Sequence, residues 1–152
     1  MSLALLLLAV QARTPLGTYD HWAAFRDAAP RRCYAIAAPV EKYRVARPYA
    51  SVANWPREGT RNQLHIRLSR NRAGNARVTL SIGERRFELI AGDADAWAPD
   101  PRTDAAIVGA MREGRSMSVE SVGASGNPFA DTYALKGAAT AIDAAALGCA
   151  GR

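Results

Sequence analysis

Cysteine, histidine and lysine are nearly absent from this chain. It has two cysteines, Cys33 and Cys149, two histidines, His21 and His65, and only Lys42 and Lys136 as lysines among its 20 basic residues. Two histidines cannot build a three-histidine metal centre, and both lie on strand-like segments, where they read as surface or packing residues. The acidic stretch Asp93, Asp95, Asp100 and Asp104 imitates a twelve-residue calcium loop. Its sixth position is Ala98 rather than Gly, Pro99 and Pro101 stiffen it, and it ends in Asp rather than a bidentate Glu. These acids are therefore expected to be turn and cap residues, and neither a metal nor a cofactor is expected. A phosphate-cradling loop, a dinucleotide fingerprint and a Gly-x-Ser-x-Gly elbow are all missing. Ser125, in Gly123-Ala-Ser-Gly126, reads as a loop serine.

Long apolar runs are missing too. The one uninterrupted stretch, Leu3 to Val10, falls far short of the roughly 20 residues a bilayer span needs. Its length suits the apolar region of a secretory signal, and Val10-Gln11-Ala12 puts small residues where a signal peptidase reads. No Lys or Arg precedes the run, so the Met1 amine alone supplies positive charge. The expectation is a signal peptide over 1–12, cleavage after Ala12, and a single β-rich domain over 13–152 in a periplasmic or secreted product. A buried N-terminal helix or strand is the competing reading.

In an exported chain, two cysteines usually pair. A Cys33–Cys149 disulfide would close a long loop, for which chain entropy predicts about 4–5 kcal/mol. The competing role, a nucleophilic Cys33 activated by His21 or His65, lacks a supporting motif.

The net charge of +6 and pI near 9.9 invite a nucleic-acid reading. The charge is almost all Arg and is spread along the chain, densest over Arg67, Arg70, Arg72, Arg77, Arg85 and Arg86. No recognition motif accompanies it, so nucleic acid is not an expected partner. A basic face would still attract anionic lipid headgroups or lipopolysaccharide.

What the chain does have is alternation. Leu64, Ile66 and Leu68 share one face of Gln63–Ser69 while His65 and Arg67 take the other, the pattern of a half-buried strand. Val78, Leu80 and Ile82 repeat it, and Gly83-Glu84 turns the chain into Phe87 and Leu89. These three segments predict an antiparallel meander. Trp22–Phe25, Cys33–Ala38, Tyr49–Trp55, Met117–Val122 and Thr132–Leu135 are further strand candidates. Two helices are predicted. One has Asp104 as N-cap, an Ile107, Val108 and Met111 stripe and Gly114 as its stop; the other runs from Ala138 to Gly148. The fold class is mainly β: a small antiparallel β-sandwich or barrel with two short peripheral helices and one disulfide joining its ends. Trp22, Trp55 and Trp97, with Tyr34, Tyr49 and Tyr133, form a candidate carbohydrate platform, against the commoner role of strand aromatics as core.

Trp22-Ala-Ala-Phe25, Cys33-Tyr-Ala-Ile-Ala-Ala-Pro39, Ala110-Met-Arg-Glu-Gly114 and Asp131-Thr-Tyr-Ala-Leu-Lys-Gly137 occur in an order that resembles the invasion-associated locus B family of alphaproteobacterial exported proteins. The resemblance runs from about Trp22 to Cys149 and implies a small periplasmic or secreted β-rich protein. Some members are implicated in host-cell invasion. This chain lacks the additional mid-domain cysteine pair of better-known members and looks like a divergent branch. The function expected is that of a non-enzymatic envelope interaction or scaffold protein with an envelope partner. The alternatives are a module binding a glycan or anionic lipid, and a small hydrolase with a carboxylate pair.

Overall fold

In the computed structural model, residues 12–150 are described. The Leu3–Val10 run, and the signal expectation that rests on it, lies outside them. Ten strands and two helices follow in chain order. They are β1 (Arg13–Tyr19), β2 (Trp22–Ala28), β3 (Arg31–Ala37), β4 (Tyr49–Trp55), β5 (Thr60–Arg67), β6 (Val78–Ile82), β7 (Arg85–Ala91), β8 (Asp95–Trp97), α1 (Pro101–Glu113), β9 (Ser116–Val122), β10 (Pro128–Ala134) and α2 (Ala138–Gly148). All strand pairings are antiparallel, in the order β1-β2-β3-β4-β5-β8-β7-β6-β9-β10. The mainly β fold with two helices is as the sequence predicts.

The predicted three-strand meander needs one correction. β6 and β7 form the expected hairpin, but β8 lies between β7 and β5. Ala96 pairs with Ile66 on one side and Ala91 on the other, so a three-residue strand bridges the two halves of the sheet.

The sheet curls until its ends approach one another. The Val40 N–H, just beyond β3, donates to the Thr132 carbonyl of β10 at 2.7 Å, and the Trp22 indole donates to the Ala134 carbonyl at 2.8 Å. The helices seal the inner face. Ala24, Ala35, Val52 and Leu64 form one inward row across β2 to β5. These small residues let α2 lie close, through Ala138, Ala141, Ile142 and Ala145, all buried. α1 covers β5 and β7 with Ile107, Val108 and Met111.

α1 begins earlier than expected. Asp100, not Asp104, is the N-cap: its carboxylate accepts the Thr103 N–H at 2.7 Å. Pro101 is set for the first helical position because it has no N–H to leave unpaired. Asp104 then falls within the first turn and is buried. The predicted disulfide forms, joining Cys33 on β3 to Cys149 just after α2 with Cα atoms 5.8 Å apart.

Candidate binding face

Strand alternation sends every second residue of β2 to β5 and β8 outward, on the side away from the helices. The sequence puts large rings and ion pairs at those positions, and small residues on β4. Ser51 and Ala53 face outward between the side chains of β3 and β5, where they are 8% and 5% exposed, forming a recessed floor.

On the β5 side, His65 is the hub. Its Nε2 lies 2.8 Å from Asp95 Oδ1, and the other Asp95 oxygen accepts from Arg67 at 2.8 Å. Trp97 on β8 stacks on the imidazole at 5.3 Å between centroids, and Tyr49 meets it edge-on at 5.4 Å. The Tyr49 phenol is pushed up by burial and by the negative charge of Asp95.

On the β3 side, Asp27 accepts from Arg13 Nε at 2.9 Å and from Arg32 Nε at 3.0 Å. Burial pushes the Asp27 carboxyl up, but its hydrogen bonds to the two guanidiniums outweigh that and hold it below the usual value. The Arg32 guanidinium lies 4.4 Å from the Tyr34 ring and 5.3 Å from that of Trp55, within cation–π range of both. Phe25 packs on Tyr34 at 5.8 Å. The Trp55 indole N–H donates to Gln63 at 3.1 Å, fixing the ring. A groove of about 360 Å³ continues the floor toward one end of the strands, passing Ala23, Ile36, Tyr49, Arg47 and His21.

Four of the six proposed platform aromatics therefore share one face: Tyr49, Trp55 and Trp97 are half-buried there, while Tyr34, 4% exposed, lies beneath Arg32 and Phe25. Trp22 and Tyr133 do not join them. Trp22 points inward, 1% exposed, because its indole ties β2 to β10, and Tyr133 is wholly buried. His65, Arg32, Asp27 and Asp95 complete the face and were missed as a group. Each is ordinary in its own segment, and only the cross-strand register brings them together.

A second cavity of about 640 Å³ lies between the β4–β5 turn and the start of α1, lined in part by Glu58, Asp100 and Asp104. Acidic residues line this cavity, but both aspartates hold backbone. Asp100 caps α1, and Asp104 Oδ1 accepts the Leu64 N–H at 2.9 Å. Burial lifts the Asp104 carboxyl to about 6, although the Leu64 hydrogen bond opposes the rise. The calcium reading gains no support, since no group of three or more metal-ligating side chains occurs among the described residues. Nor is any helix among them long and apolar enough to cross a membrane.

A curled antiparallel sheet, sealed inside by two helices and stapled by a disulfide, with an aromatic and ion-paired outer face, defines a small, mainly β protein. A family model described as invasion associated locus B (IalB) protein matches residues 23–146, and the chain belongs to that family. Family and disulfide together fit an envelope-associated protein. No curated protein and no solved structure matched the chain.

Proposed function

We propose that this protein is an exported, non-enzymatic component of the bacterial envelope that acts by binding a partner through the outer face of β2 to β5 and β8. The observation that carries the reading is the Arg32–Tyr34–Trp55 and Tyr49–His65–Trp97 pair of clusters, flanking the small residues of β4. Rings held by stacking and by the Trp55–Gln63 hydrogen bond lose little freedom when a ligand arrives, so their contact area goes into affinity. The test is capture of envelope components on immobilised protein, with Trp97→Ala and Arg32→Ala as comparisons and Glu120→Ala, exposed on β9, as control. A component retained by wild type and the control but lost with the two face variants supports the reading. Equal retention by all four would refute it.

A second reading, a small hydrolase, is favoured by one observation: Asp100 and Asp104 share a cavity while their carboxyls shift in opposite directions. Paired acids displaced in this way can divide acid and base roles. Turnover of a glycoside or ester substrate, abolished by Asp104→Asn in a folded protein, would establish it in place of the first.

A further inference from the structure

The ligand class follows from how the charges of this face are already spent, an inference that rests on the binding reading above. We propose that the outer face binds an uncharged, hydroxyl-rich glycan, laid across the half-buried rings of Tyr49, Trp55 and Trp97 beside Arg32 and His65.

The floor and walls come from register. Ser51 lies opposite His65 on β5 and Ile36 on β3, while Ala53 lies opposite Gln63 and Tyr34. Trp97 covers one side of the imidazole. Ser51 lies beside it on β4, 8% exposed, and Tyr49 meets the ring edge-on. Two strand spacings, about 10 Å, separate the walls. The walls are apolar rings interleaved with fixed planar polar groups, which suits a ligand carrying C–H surface and hydroxyls side by side.

The ionic groups choose between a glycan and an anionic surface. Asp27 accepts from both Arg13 and Arg32, and Asp95 contacts both Arg67 and His65. The arginines are thereby largely neutralised, and both carboxylates would oppose an arriving phosphate. Among the arginines without a carboxylate partner in the described residues, Arg57, Arg102 and Arg115 lie off this face, on the β4–β5 turn, on α1 and after α1, and Arg47 lies at its edge in the groove beside Tyr49, donating to the Val45 and Ala46 carbonyls. The centre of the face, between the two ion-paired carboxylates, therefore offers an anion no unpaired arginine.

Pairing does not exhaust the hydrogen bonding. Arg32 uses its Nε on Asp27 and Arg67 uses Nη1 on Asp95, leaving other guanidinium N–H groups and carboxylate lone pairs unspent. A hydroxyl both donates and accepts, so it can satisfy such a pair without breaking it. The charged oxygens of a phosphodiester offer no donor to Asp27 or Asp95.

The experiment uses the folded, oxidised protein. It is screened on an array of uncharged oligosaccharides spanning hexose, N-acetylhexosamine and heptose units, and hits are titrated by tryptophan fluorescence. Heparin and phosphatidylglycerol vesicles serve as the anionic arms. The expected result is saturable binding to an uncharged oligosaccharide, little changed from about 0.05 to 0.5 M salt because no net charge is screened. Trp97→Ala should weaken it about tenfold or more, the scale of a buried aromatic anchor, and Arg32→Lys should weaken it while keeping the charge. Thermal melts confirm that each variant is folded, and Tyr49→Leu, which removes a second ring of the face, serves if Trp97→Ala is not. Binding confined to heparin or vesicles, with steep salt dependence, would overturn the glycan assignment. If that binding were still lost in the face variants, the binding reading would stand. Failure of every uncharged oligosaccharide would overturn the inference without touching envelope capture, which is read separately.

Discussion

Asp104 is held in a state its surroundings disfavour. Burial raises its carboxyl from 3.8 to about 6, so the folded chain grips the proton more tightly than the unfolded chain does. This group therefore favours the fold most below about pH 4, and that contribution is lost as pH rises through about 6. The loss is at most about 2–3 kcal/mol. Asp104→Asn keeps an acceptor for the Leu64 N–H and removes the charge. Urea unfolding at pH 7 should show it as stable as wild type or more so, with a flatter dependence between pH 4 and 6. Asp104→Ala should instead cost about 1–3 kcal/mol, because the Leu64 N–H is left buried without a partner. Gly137 shows the opposite kind of constraint, set by space rather than charge. It enters α2 with φ 92°, and a Cβ there would overlap the carbonyl of Tyr19. Gly137→Ala should lower stability by about 3 kcal/mol or more, measured by thermal melting, since both the left-handed conformation and the collision oppose it.

Among the elements, α2 depends most on its neighbours. It has no side-chain N-cap and no basic residue in its last turn. Its C-terminal end is instead held from β2 and β3: Arg26 donates to the Gly148 carbonyl at 3.3 Å, and Cys33 bonds Cys149. With the cysteines separated by 116 positions in sequence, replacing either with Ser should cost about 5 kcal/mol by loop-closure entropy. Denaturant curves with and without reductant give that figure, and wild type under reductant should match the variants. Outer-face binding should survive in the folded fraction, because Cys33 points inward. This staple was legible in the sequence because two cysteines allow one pairing. The strands β5 to β7 were legible because their alternation is strong. β1 was not: Pro15 and Gly17 interrupt its pattern, and it exists through its pairing with β2. β8 was hidden because three residues carry too little periodicity, and its Asp95 looked like one more turn acid. The binding face was legible only as a set of candidate aromatics. No local pattern tells Trp22, turned inward, from Trp97, turned outward, until the register is known.

At the scale of the whole molecule, the curl of the sheet is fastened by the segment between β3 and β4. Its Glu41 carboxylate accepts the Thr132 N–H at 2.9 Å, and its Tyr43 hydroxyl donates to Asp131 at 2.6 Å. Asp131 is wholly buried and also accepts the Ser69 N–H at 2.9 Å, so one carboxylate joins this segment, the end of β5 and β10. Burial, and then the hydrogen bond to Asp131, raise the Tyr43 phenol from 10.0 to about 12. The folded chain thus keeps a proton that the unfolded chain releases near pH 10. Its stabilising contribution is complete below pH 10 and is lost as pH rises through about 12. The loss is about 1–2 kcal/mol, allowing for the partial exposure of this ring. Tyr34, Tyr49 and Tyr133 are also raised by burial, so they deepen the alkaline fall. Tyr43→Phe separates its share. At neutral pH it should cost about 1–3 kcal/mol, because Asp131 loses a donor within the core. Between pH 10 and 12 its stability should fall less steeply than that of wild type. Unfolding curves across that range, followed alongside tyrosinate absorbance, make the comparison. Parallel falls for the two proteins would mean that the seam between the segment and β10 is not fastened through this hydroxyl.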